Sequence, residues 1–69
     1  MTQEVQATLR RAYEHHQHGR VREAQGLYEQ VLALDPHQVD ALHLLGVLAL
    51  QHGQPDVAAG LIQQALALR

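Results

Sequence analysis

The sequence predicts an all-α protein of four antiparallel helices, and three observations lead there. Apolar residues recur at spacings of three and four through most of the chain, without the alternation a half-buried strand requires. The core must be built from Leu, Ala and Val, because Tyr13 and Tyr28 are the only aromatic residues, and that vocabulary favours helix. Helix-breaking residues fall at Gly19, Pro36, Gly53 and Pro55, leaving connections of only a few residues, which forces neighbouring helices to run antiparallel.

The first helix is predicted from Thr2, a good N-cap residue, to His18, with Gly19 supplying the left-handed position that ends many helices. Its apolar stripe is Val5, Leu9, Ala12 and Tyr13. The second starts at Arg20 or Val21 and carries Ala24, Leu27, Tyr28, Val31 and Leu32 on one side. It stops at Leu34, ahead of Asp35-Pro36, because proline disfavours helical geometry in the residue before it. The third runs from His37 to Gln51 or His52 and is closed by Gly53. The fourth begins at Pro55, a favourable first-turn position, and continues to the last residue.

Sliding the chain on itself by 34 residues superimposes identical pairs, among them Val5/Val39, Gln17/Gln51, His18/His52, Gly19/Gly53, Ala24/Ala58, Gly26/Gly60, Leu27/Leu61, Leu32/Leu66 and Leu34/Leu68. The helix-ending glycine and the small packing alanine both recur, so the repeat is structural and not a shared taste for Leu and Ala. The 69 residues read as one domain, residues 1–69, with a first unit over about 2–35 and a second over about 36–69.

Two antiparallel helices per 34 residues, with small residues at fixed offsets and proline at the boundary, resemble the tetratricopeptide repeat (TPR). In the second unit, Leu42, Leu45, Gly46 and Ala49 stand in the W-x2-L-G-x2-Y slots, and Ala58 and Ile62 in the A-x3-F slots. In the first unit those slots hold Thr8, Arg11, Ala12 and His15, then Ala24 and Tyr28. Thr8 and Arg11 replace residues that are usually large and apolar, which marks the first helix as an N-terminal cap with one face toward water. The fold class is therefore an all-α pair of TPR helix-turn-helix units, an α-solenoid fragment. Ala12 and Gly46 on the first helix of each pair, with Ala24 and Ala58 on the second, let the paired backbones approach closely.

Composition removes several functions. A single domain of 7.7 kDa is too small for a large enzyme core. Absence of cysteine excludes disulfide staples and thiolate zinc sites and suits a reducing, cytoplasmic setting. No stretch approaches the roughly 18 apolar residues a membrane span needs. A net charge of −2 with no lysine argues against nucleic acid or anionic membrane as partner. Arg10, Arg11, Arg20 and Arg22 are balanced by Glu4, Glu14, Glu23 and Glu29 in the same unit. No serine or cysteine nucleophile exists, Thr2 and Thr8 have no neighbouring base motif, and the carboxylates are dispersed singly, so no catalytic residue and no cofactor site is assigned. His15 and His18 share a helix face and invite a metal reading with His52. But His18 and His52 are repeat equivalents in the last helical turn, where imidazole suits the negative end of the helix dipole, so no metal is assigned.

The resemblance implies a non-catalytic protein-interaction module whose first helices line a concave surface for a partner segment. Carried over, the groove residues are Leu9, Tyr13, His16, His43, Val47, Leu50 and Gln51. The bland reading of Leu9, Tyr13, Val47 and Leu50 is that they complete the core of a small bundle. Leu9, Tyr13 and Leu44 stand where chaperone-tail binders carry a Lys and Asn clamp, and Arg10 and Leu44 where other arrays carry an Asn ladder, so neither ligand is supported. The last helix is more apolar than one neighbour can cover, which points to Val57, Leu61, Ile62 and Leu68 as a self-association face and to a homo-oligomer, a dimer. The competing class of answer is the N-terminal TPR segment of a larger bacterial enzyme, of glycosyltransferase or sulfotransferase type, with its catalytic domain outside this chain. Gly26 and Gly60 lie inside helices, either as tolerated surface drift or as points of close backbone contact with another chain.

Overall fold

The computed structural model describes residues 2–68. Four helices follow in order: α1 Thr2–Gln17, α2 Val21–Leu34, α3 Val39–Gln51 and α4 Pro55–Ala67. They agree with the predicted segments except at their ends. The continuation of the fourth helix into Arg69 lies outside the described residues.

Both helical hairpins turn in the same way, for the same chemical reason. Gly19 and Gly53 adopt φ of 74° and 73°, a region that costs other residues steric strain. Around them Gly19 N–H bonds the His16 carbonyl and Arg20 N–H the His15 carbonyl, at 3.2 and 2.9 Å; Gly53 to Leu50 and Gln54 to Ala49 repeat those distances. This pair of bonds is the Schellman arrangement, which satisfies the last carbonyls of the helix and reverses the chain.

The link between the hairpins corrects one boundary. The third helix begins at Val39 and not at His37. Asp35 accepts from His37 N–H through its carboxylate at 3.2 Å, and Gln38 N–H bonds the Asp35 carbonyl at 3.1 Å, which holds Pro36 and His37 in a turn. The Gln38 side chain then accepts from Asp40 N–H at 2.8 Å and acts as the N-cap. Side-chain caps compete with extension of the helix, so proline-initiated helix formation at residue 37 gives way to a capped turn.

Within each hairpin the helices pack closely, α1 on α2 and α3 on α4; α2 also packs on α3, whereas α1 meets α3 only at an edge. The core runs through Val5, Leu9, Ala12, Ala24, Tyr28, Val31, Ala41 and Leu48, with Leu32, Leu44 and Leu45 packed against it. Small residues set the crossings, as predicted. A Cβ at Gly46 would lie 2.9 Å from Ile62 Cγ1, closer than packed carbon atoms allow, and in ordinary contact with the Ala58 carbonyl oxygen at 3.4 Å. The corresponding crossing in the first hairpin is made by Ala12 and Ala24, both fully buried. Gly26 and Gly60 differ, since an added Cβ would meet nothing within 4 Å at either position.

Candidate interaction surfaces

Helix spacing on α1 and the packing of α2 and α3 beside it bring a connected string of side chains to one edge of the molecule. Tyr13 and His16 are neighbours on α1, and their rings meet edge to face at 6.3 Å between centroids. His16 also meets Tyr28 of α2 edge to face at 5.9 Å. Its Nδ1 lies 3.0 Å from the Tyr28 hydroxyl and its Nε2 lies 2.8 Å from Gln51 Oε1 on α3. With Nε2–H donating to Gln51, a neutral His16 accepts the Tyr28 hydroxyl proton at Nδ1, so one imidazole ties three helices together. Burial pushes the Tyr28 hydroxyl up to about 12, and the neighbouring Tyr13 adds to the rise.

Beside this string, Gln6, Leu9, Arg10 and Tyr13 of α1 and Asp40 and Leu44 of α3 line a depression of about 370 Å³. Leu9 forms its floor as part of the core, while Tyr13 remains 44% exposed. Apolar contact is available in the centre and hydrogen bonding or charge at the rim. A second cleft of about 290 Å³ opens on the other side of α3. Val21, Leu45, Leu48, Val57 and Leu61 give it apolar walls, and Arg22 and Glu29 stand among its lining residues.

The predicted groove residues separate into two sets. Leu9, Tyr13, His16 and Gln51 belong to the depression and the polar string beside it. His43 and Leu50 are exposed and Val47 is half-buried. One repeat earlier, the same positions are Leu9, His16 and Tyr13; Leu9 is buried and His16 is bonded to α3, so His43 and Leu50 stand on a side of the second unit that no helix covers among the described residues. Of the residues assigned to a self-association face, Val57 and Leu68 are exposed, whereas Leu61 and Ile62 are half-buried against α3, near Gly46. Sequence reasoning left several contributors out of its sites. Arg10 and Leu44 line the depression, and Leu66, 62% exposed, is the most open large apolar side chain among the described residues.

Two further histidines sit near the ends of α1 and α3. His52 Nδ1–H donates to the Leu48 carbonyl at 3.0 Å, inside the last turn of α3, as its place near the helix C-terminus suggests. His15 Nδ1 is buried and has no hydrogen-bond partner. Among the described residues no three His, Cys, Asp or Glu side chains are placed to hold a metal ion, and no helix is long and apolar enough to cross a membrane.

Two helix-turn-helix units, each closed by a Schellman turn and each crossing at small residues, stack through the second helix of one and the first helix of the next. That is the architecture of an α-solenoid built from helical hairpins. The chain belongs to the tetratricopeptide repeat family, whose model matches residues 9–69. No curated protein and no solved structure matches the chain. Tetratricopeptide repeats are generally protein–protein interaction modules and typically serve as non-catalytic scaffolds.

Proposed function

We propose that the chain, a single domain of two repeats, is a non-catalytic interaction module that receives an extended partner segment in the depression between α1 and α3. The observation that carries this reading is the combination of an apolar floor at Leu9 and Leu44 with the half-exposed Tyr13 ring and the polar groups of Gln6, Arg10 and Asp40 in one continuous depression. An aromatic side chain at the centre with polar groups at the margin is the usual anatomy of a binding hot spot. The preferred partner presents an apolar side chain to Leu9, Leu44 and Tyr13, with hydrogen-bonding or charged neighbours on either side. A cytoplasmic setting follows from the same reading, given the cysteine-free composition.

A peptide library selected on the purified protein, followed by calorimetry on the enriched peptides, tests this. Tyr13→Ala is expected to weaken such peptides about tenfold or more with the helical content intact, because Tyr13 is half-exposed and bears little on folding. Peptides that bind Tyr13→Ala and Arg10→Glu as well as the parent would remove the depression as the site.

A second reading is supported by the exposure of Leu50 and Leu66 on the side of the second unit that no helix covers among the described residues. There the module associates with another copy of itself.

A further inference from the structure

Comparing burial across one repeat locates the surface the second unit leaves open. Tyr28 is fully buried, while its counterpart Ile62 is half-buried. Leu32 packs against the core, whereas its counterpart Leu66 is 62% exposed. His16 is half-buried and bonded to Gln51, whereas its counterpart Leu50 is 57% exposed. Leu34 and Leu68 behave differently: they are 49% and 41% exposed, so the exposure of Leu68 does not come from a missing neighbour. The open end is therefore Leu50, Ile62 and Leu66. Since His16 and Tyr28 touch, their counterparts Leu50 and Ile62 are adjacent, and the patch is contiguous.

The opposite end of the molecule does not match it. α3 packs on the first unit through Ala41, Leu44, Leu45 and Leu48. At the same positions α1 carries Ala7, Arg10, Arg11 and Glu14, all exposed. Docking α1 of a second copy over Leu66 would bury those charges against an apolar surface, which is costly without partners. Head-to-tail stacking is thereby disfavoured.

The open stripe of α4 is instead complementary to itself. Its large side chains, Ile62 and Leu66, lie two turns beyond the smaller Pro55 and Ala59 on the same side. An antiparallel pairing about a two-fold axis sets the large residues of each copy against the small residues of the other. Among the described residues Asp56 is the sole charge on α4, and the antiparallel arrangement keeps the two Asp56 side chains at opposite ends.

We propose that the protein forms a closed homodimer through antiparallel α4–α4 contact, with Leu66 of each copy seated over Pro55 of the other and Ile62 over Ala59, and that Arg10, Arg11 and Glu14 stop assembly from growing beyond two. This rests on the reading that the open end is an association surface. One helix per copy makes a small interface, so light scattering is run from low micromolar to about 300 μM. The parent chain is expected to move from monomer to dimer and no further. Leu66→Glu should weaken dimerisation on the order of 100-fold with unchanged circular dichroism, since Leu66 contributes little to the monomer core. Arg11→Leu/Glu14→Leu should form species larger than the dimer, and adding Leu66→Glu should leave that variant no larger than a dimer. A mixture of Pro55→Cys and Leu66→Cys chains should oxidise mainly to the 55–66 cross-link.

Four outcomes overturn the proposal: a monomer throughout, growth of the parent past two copies, a Leu66→Glu dimer as tight as the parent, or dominant 66–66 cross-links. Peptide binding that Tyr13→Ala abolishes while the dimer persists shows the groove independently of the dimer. Loss of either result therefore leaves the other standing.

Discussion

The two hairpins share a backbone plan and differ at its centre. Both end their first helix on a glycine with the same pair of hydrogen bonds, and both bury a small residue at the crossing. In the first hairpin the crossing residue is Ala12, and the large partner on the second helix is Tyr28, whose hydroxyl is bonded by His16. In the second hairpin these positions hold Gly46, Ile62 and Leu50. One solution is an aromatic ring with a satisfied polar tip, enclosed by α3. The other is a β-branched side chain pressed against a glycine, with its outer side open. The difference teaches that repeat equivalence conserves backbone geometry, while the neighbour on each side decides which side chain can stand at the centre.

Truncating the two central residues should separate the hairpins most. Tyr28→Ala is expected to cost about 3–5 kcal/mol, because it empties a fully enclosed site, and Ile62→Ala about half as much or less. Urea denaturation of the two variants reads the contrast directly. Equal losses would mean that α3 does not distinguish the two environments.

Placing the second hairpin's residue in the first comes next. His16→Leu strips Tyr28 of its hydrogen-bond partner and should cost about 1–3 kcal/mol, the usual penalty for an orphaned buried polar group. Adding Tyr28→Phe should recover most of that loss, since both polar partners are then gone. A double variant no more stable than His16→Leu alone would show that the imidazole acts through packing and not through its bonds.

Alkali should act on the same hydroxyl. The folded state holds Tyr28 protonated up to about 12, whereas an unfolded tyrosine ionises near 10. Between those values the folded state binds the proton more tightly, so stability is highest below pH 10 and falls as pH rises toward 12. Denaturation midpoints measured across that window should fall in the parent and fall less in Tyr28→Phe.

Two smaller effects sharpen the comparison. Gly46→Ala should destabilise by about 1 kcal/mol, the crowding against Ile62 outweighing the helical preference of alanine. Combining it with Ile62→Ala should turn the same substitution favourable, a coupling that a double-mutant cycle measures. Gly26→Ala and Gly60→Ala should each raise stability by about 0.5–1 kcal/mol, since a Cβ meets open space at both sites. A loss at either glycine would point to a close contact with another chain.

The helices, their order, the glycine turns and the small crossing residues were all readable in the sequence. Each depends on local chemistry: apolar period, absence of a Cβ at positive φ, and the geometry around proline. The missed start of α3 was also local, but it required a choice between Pro36 opening a helix and Gln38 capping one, and the chain carries both signals. Site residues were less legible. Leu9 and His43 occupy equivalent positions, as do His16 and Leu50, yet in the first unit these positions are buried or bonded and in the second they are exposed.

By itself, then, the sequence determined an all-α chain of two tetratricopeptide repeats, because helix formation, chain reversal and a 34-residue period are set by residues close together along the chain. Only the tertiary structure decided which apolar residues are core and which are surface. Burial of a side chain depends on which helix lies beside it, and α2 has α3 as its neighbour where, among the described residues, α4 packs on α3 alone. Identical leucines at positions 32 and 66 consequently have different surroundings, the first packed on the core and the second facing outward.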